Sequence, residues 1–555
     1  MKKLISGLLS LALLVTALLI PVGADEAQAV RVGETSMTFT QFVTDYANHA
    51  AAEVTLLADV DATALTASLG EFSGKLNGAG FAVTNLSVPL FESLNNATIE
   101  NLTIKGCVGS STEMYQTAAH IGALACNSKG NTVLTNCINE VEMNVRFTSD
   151  QKGVAGFIGN VDSGTLKIAS SANNAIIRSI NLVATANERP WVGGFVGVMT
   201  NGTLSVIACV NNGNIEIEML RNGVGMVSAS AGFLARMNGD AGATFVKCVN
   251  YGKVSRPETS TSVARLENFK SGGFIGSSRG KGGVVLESCV NYGEICGGTA
   301  TSSIGIGGLI GEIKDAFSIN NCYNFGAITN NPGHYAGGFI GDLNNSANCS
   351  ITNSMSIGVN SSETKSVAGT FVGKLTAGSL TLQGNVAVNV GELNPVGTGS
   401  ATADDTVSYA DEAAWKAGTA LQSQVYVQTS APADGVFNVR FISTLPSVEG
   451  YANAGFEIIR ICGGEAPETV GGATGTVRTV YESLTGTNAA GQTVTYTPAD
   501  LASTEKYFSA AVINNVPANT NVVFIVKPYL VNAETNAVIP GVATTIAFSN
   551  GALVS

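Results

Sequence analysis

The chain has 555 residues, 65 of them glycine, with 13% charged and 45% hydrophobic residues. Globular chains average about 25% charged residues and about 7% glycine, so this composition excludes a disordered tail, a coiled coil and, without a strict glycine triplet, a collagen. Against 41 acidic residues stand 29 Lys and Arg, a net charge of −12, which argues against a surface that neutralises nucleic-acid phosphates. A large β protein of more than one domain remains.

Lys2 and Lys3 precede an apolar run from Leu4 to Val22, and Ala27-Gln28-Ala29 offers a small-x-small cleavage site before Val30. That is the layout of a secretory leader over residues 1–29. The run is nearly long enough to span a bilayer, so a retained anchor is the alternative. No second long apolar run occurs, and the expectation is a secreted or cell-surface protein with no membrane span after cleavage. Residues 38–52 then place Phe39, Phe42, Val43 and Tyr46 on one helical face, with Thr38 or Thr40 as N-cap. This short helix reads as a cap over the open end of a β domain.

That domain is a repeat. The phrase Gly-Gly-Phe-Ile-Gly, or a near copy, places a large apolar residue at Phe91, Leu124, Phe157, Phe195, Phe233, Phe274, Leu309, Phe339 and Phe371, at intervals of 30 to 41 residues. A second phrase sets a cysteine at Cys137, Cys209, Cys248, Cys289 and Cys322. Two residues on comes an asparagine, at Asn139, Asn173, Asn211, Asn250, Asn291 and Asn324. Each unit holds short alternating strands and no helical period, so it buries its apolar face only against copies of itself. A parallel β-helix of about nine rungs fits that unit. A propeller blade would need four antiparallel strands and a closing motif.

These Gly-[Phe/Leu]-x-Gly cores resemble the GLUG-type repeats of bacterial secreted and surface proteins, and Phe72–Leu86 resembles the coil that opens such arrays. The resemblance implies an all-β, right-handed parallel β-helix over residues 30–390. It says little of activity, since the family includes adhesin-like proteins and accessory regions of enzymes. A Gly/Thr/Ser-rich linker with a helix from Tyr409 to Gln422 is expected over 391–423. From 424 to 555, strands at 436–442, 455–461, 507–513 and 522–526 look like an immunoglobulin-like β-sandwich.

Chemistry-bearing patterns are few. The five cysteines share one slot and read as stacked interior thiols, although rung spacing alone permits a disulfide between neighbours. The six asparagines read as a ladder of amides bonded rung to rung. Gly276-Ser-Ser278-Arg-Gly280 matches a nucleophile elbow without its strand–turn–helix setting or a placed histidine, the three being His49, His120 and His334. Glu140, Glu142, Glu216 and Glu218 are the nearest approach to paired catalytic carboxylates and read better as a solvated face. Tyr251, Tyr292 and Phe325 fill one slot in three consecutive units, where flat apolar rings would suit a sugar or peptide. The expectation is a non-catalytic, adhesin-like binding or structural protein, without metal or cofactor, facing a glycan, cell-wall polymer or host surface. The alternative is a polysaccharide lyase or glycoside hydrolase on the same fold.

Overall fold

The computed structural model describes residues 28–554 except 182–188, 220–227, 257–268, 298–303, 330–334, 345–347, 358–367, 389–392, 411–424, 446–450 and much of 463–506 and 533–543. The expected leader and the helix from Tyr409 to Gln422 therefore lie almost wholly outside the described residues.

The repeat is a coil of a parallel β-helix, and residues 269–296 show one turn of it. An ingoing arm, Phe269–Gly272, meets an outgoing arm, Ile275–Ser278, across the bend Gly273-Phe274. A long face, Val284–Glu287, comes next, and after the corner Ser288-Cys289 lies the ladder strand Val290–Asn291. On the long face burial alternates with the period of a strand that has one wet side. Both arms are buried at every residue, because they fold against each other as well as against neighbouring coils.

Each strand pairs in parallel and in register with its copies, as in Ser277↔Glu312 and Glu312↔Asp342 on the outgoing arm. Stacking builds a 14-stranded long face, an 8-stranded ingoing sheet and an 11-stranded outgoing sheet. Coils continue on both sides of the nine units read from sequence. Glu53–Leu56 and Lys75–Asn77 join the long face ahead of Phe91. Val396–Thr398, Ala403–Asp404 and Val407–Tyr409 pair in parallel beyond Phe371, within the stretch expected to be a linker.

The large residue of each bend points inward. Phe157, Phe195, Phe233 and Phe274 form a continuous stack with centroids 5.0, 4.7 and 4.9 Å apart. Each ring is fully buried, worth about 1.5–3 kcal/mol apiece. At the N-terminal end a hairpin, Val30–Val32 with Thr35–Met37, adds antiparallel to the long face. Helix Phe39–Thr44 then closes the core. Thr38 is its N-cap, in a capping box with Gln41. Phe42 packs edge-on against Tyr46, which lies over Phe91, and Phe91 stacks on Phe72 at 5.1 Å.

The C-terminal region is antiparallel, as a sandwich requires. Val425–Thr429, Val436–Leu445 and Tyr507–Pro517 make one sheet, and Tyr451–Cys462, Asn521–Asn532 and Thr544–Ser549 lead the other. Phe437, Phe441, Phe456, Phe524 and Phe548 fill the space between. No described helix is long and apolar enough to cross a membrane.

One backbone requirement recurs at the corner before each ladder strand. Asn136, Ser170, Ala208, Lys247, Ser288, Asn321 and Asn353 all have φ between 49° and 60°. Left-handed backbone costs an L-residue about 1–2 kcal/mol, and Asn tolerates it best among residues with a side chain. Ala208 is also buried. Ala208→Val adds a β-branch where φ is 60° and should lower stability by about 2 kcal/mol or more. Ala208→Gly should not, and urea denaturation midpoints of the two variants check this.

Candidate functional site

The ladder is continuous. Asn139 Nδ2 donates to Asn173 Oδ1 at 2.7 Å, and the chain of amides runs on through Asn211, Asn250, Asn291 and Asn324 at 2.7–2.8 Å. From Asn173 onward each amide nitrogen also donates to the carbonyl two residues ahead, as Asn291 does to Gly293 O at 2.9 Å. All six are buried, so their polar capacity is spent inside the fold.

The ladder also explains the glycine before each inward ring. A Cβ at Gly156, Gly194, Gly273 or Gly308 would lie 2.5–2.7 Å from the ladder oxygen of its own coil. The two repeat phrases are thus two halves of one contact. Where the bend holds Thr370, the ladder slot has shrunk to Ala387.

Cys209, Cys248, Cys289 and Cys322 line up on consecutive coils, and Ser171 fills the slot between Cys137 and Cys209. Several of these groups accept a backbone N–H from the coil before, as Cys209 Sγ does from Ser171 N at 3.5 Å. Cys289 N donates to Cys322 Sγ at 3.4 Å, and Ser171 and Ser354 accept from Cys137 N and Cys322 N at 3.0 Å. The described cysteines are free thiols. Burial pushes Cys137 up to about 12 and raises Cys209 and Cys289, which keeps them protonated and inert.

The aromatic row is arranged differently from a platform. Tyr251, Tyr292 and Phe325 stack on one another at 5.1 Å with interplanar angles of 5° and 16°. Their faces are turned to each other, leaving ring edges and the outer face of Tyr251, which is 40% exposed. At the other end the row meets the sandwich. Val249, Val290, Tyr323 and Met355 of the coils pack with Ile459 and Ile525, and Tyr292 and Phe325 lie against that cluster. Lys527 seals it, with Nζ 5.0 Å from the Tyr323 ring centroid, 3.9 Å from Glu457 and hydrogen-bonded to Asn321 Oδ1. Burial brings its pKa down to about 8.

The remaining sequence candidates are dispersed. Ser278 lies in a strand, its hydroxyl donating to Asp315. Glu140 pairs with Lys105 at 3.1 Å, while Glu142 and Glu216 share Arg178 at 3.6 and 2.6 Å. The side chain of Glu218 and the whole of His334 lie outside the described residues. His49 stacks on Phe42, and His120 Nδ1 accepts Gly153 N–H at 3.0 Å.

One cluster was missed. Between the two arms of successive coils, Lys270 sits 3.0 Å from Asp342 and 3.9 Å from Glu312. Arg279 grips Glu312 through two bonds of 2.9 and 3.0 Å, Ser277 donates to it at 2.6 Å, and Arg236 donates to Ser277 at 2.7 Å. Burial works against the charge on Glu312, but Arg279, then Lys270 and Ser277, hold its carboxyl down to about 2. The signal was present in sequence. The residue after the repeat's Ile-Gly is Val198 in one coil, then Arg236, Ser277, Glu312 and Asp342 in the next four.

Residues 27–141 match the family model of the M26 IgA1-specific metallo-endopeptidase N-terminal region. A relative, an immunoglobulin A1 protease of Streptococcus sanguinis, is 32% identical over 123 residues. That stretch is 21% of this chain and 6% of the protease. The match falls on the cap and the opening coils.

It overturns two expectations. The adhesin-like, non-catalytic reading and its carbohydrate-active alternative both give way to a protease-related one. The inclination against an enzyme gives way likewise, because the matched family is one of metallo-endopeptidases. The repeats misled because a coil's sequence reports stacking, whatever the stack serves. The discriminating signal lay in residues 27–141, read as the cap and the opening coils. The family implies a metal, and the described residues do not fit one. Among the described residues no three His, Cys, Asp or Glu converge as ligands, and the sequence has no His-Glu-x-x-His stretch.

This geometry generates two predictions. Asn291→Leu strands a donor on Asn250 and an acceptor on Asn324, each at about 1–3 kcal/mol. Tyr292→Ala removes a partly buried ring and should cost less, so the melting temperature of the first variant should fall further. Burial, then Lys152, lowers the His120 pKa from 6.5 to about 4, so the folded state binds fewer protons than the unfolded chain between those values. Stability should be full above pH 6.5 and decline as the pH falls toward 4. His120→Gln should flatten that part of the melting-temperature profile.

Proposed function

We infer a protease-related function: the β-helix engages the polypeptide that a metallo-endopeptidase of the M26 kind cuts. The match of residues 27–141 to the N-terminal region of that family carries this reading. A rigid stack of coils with its inner polar groups satisfied suits the task of holding a large protein substrate in one place. The leader-like start and the likeness of the repeats to GLUG-type arrays support export to the bacterial surface or medium, where such a substrate would be met.

The relative's name supplies the first substrate to try. Purified chain should retain human immunoglobulin A1 on a sensor surface, and retain immunoglobulin G at least tenfold less. Parallel incubations with and without a chelator report cleavage by gel. Binding, or chelator-sensitive cleavage, of immunoglobulin A1 supports the reading. Neither binding nor cleavage rejects it.

A further inference from the structure

The slit between the ingoing and outgoing arms holds an amine and two carboxylates almost without water. The Lys270 and Glu312 side chains are 3% and 4% exposed, and that of Asp342 13%. Lys270 lies on one coil and Asp342 two coils on. The coil between carries Gly305 in the column of Lys270. A Cβ at Gly305 would come within 3.1 Å of both Lys270 Cδ and Asp342 Cβ, so the glycine leaves the path along which the lysine crosses.

The ion pair is poorly kept for a permanent one. Asp342 Oδ1 is buried with no hydrogen-bond partner among the described residues. A buried carboxylate with one bare oxygen pays much of its desolvation without return. Asp315 also has a bare Oδ1, but its other oxygen accepts from Ser278 and from Gly280 N, and the remaining charges have their own support. Glu312 keeps Arg279 and Ser277 even if Lys270 loses its charge, and Arg236 is held by Ser277 and Asn238.

We propose that Lys270 and Asp342 condense into an intramolecular isopeptide bond, with Glu312 as the proton carrier. The ammonium passes one proton to the Asp342 carboxylate across 3.0 Å, giving a neutral amine and a carboxylic acid. The amine lone pair attacks Asp342 Cγ, forming the Nζ–Cγ bond. A second proton leaves Nζ by way of Glu312 for the departing oxygen, the Cγ–O bond breaks, and one water is released. Nζ keeps its third proton as the amide N–H, and Glu312 ends as it began. Two opposite charges disappear from a dry site, and holding the reactants in contact supplies the proximity such a step needs. The product staples three coils together beside the sandwich-bearing end of the helix.

Intact-mass measurement of the full, denatured wild-type chain decides the matter. It should be lighter by one water than its sequence, and digestion should yield a branched peptide joining the Lys270 and Asp342 segments. Lys270→Arg, which keeps the charge but cannot form the amide, should restore the sequence mass. Glu312→Gln should leave an unreacted fraction that falls with time. An unshifted wild-type mass, or a water loss that maps to any other pair of residues, overturns the proposal. The wild-type result stands alone should either variant fail to fold.

Discussion

The contact between the ladder amide and the bend glycine is the constraint on which the rest of the coil depends. An asparagine oxygen must reach the backbone of the bend on its own coil, where at Gly194 or Gly273 even a methyl would collide. That contact draws the ladder strand toward the arms and fixes where the bend's large residue enters the core. The same amide is bonded along the axis at 2.7–2.8 Å from Asn139 to Asn324. Distance across the coil and register along it are therefore set by one side chain. A one-residue slip would break both, which is why coils of 30 to 41 residues differ in length only away from the two phrases.

Much of this was legible because the repeat writes each contact several times over. The spacing of Phe157, Phe195, Phe233 and Phe274 announced a stack, and the asparagine slot announced a ladder. The end cap was legible for a different reason, since amphipathic spacing and a capping box are local signals. The left-handed corner was not readable. Asn136 and Asn321 are usual at positive φ, but Ala208 and Lys247 are not, and tertiary stacking overrides their preference. Ser171 and Ser354 stand in the cysteine slot because its physical requirement is a small acceptor for an N–H of the preceding coil.

The site was less legible than the fold. Stacked aromatics at one slot looked like a binding platform, yet parallel in-register stacking turns such rings toward one another. It also supplies the apolar strip on which the sandwich rests. A row along a β-helix is thus at least as suited to receive another part of the chain as a ligand. Sequence could not report this, because Ile459, Ile525 and Lys527 are remote from the coils they meet. The buried ions escaped notice for the opposite reason. Arg236, Glu312 and Asp342 occupy a position that would face solvent on a simple coil, and only the folding of one arm against the other removes them from water.

That double-layered arm bears on how a β-helix resists opening. A coil with a single core is stiff along its axis but is held at its edges by short strands, most of them two to five residues long. Folding two arms together buries a second set of contacts outside the main core, with Trp191, Val198, Ala229 and Ala235 apolar at one end and Lys270, Glu312 and Asp342 charged at the other. Opening such an arm breaks its packing and its strand pairing together, which is costlier than fraying a surface strand. The C-terminal sandwich rests on the ladder face of the same later coils, through Val290, Tyr323 and Met355. Reinforcement and docking therefore coincide along the axis.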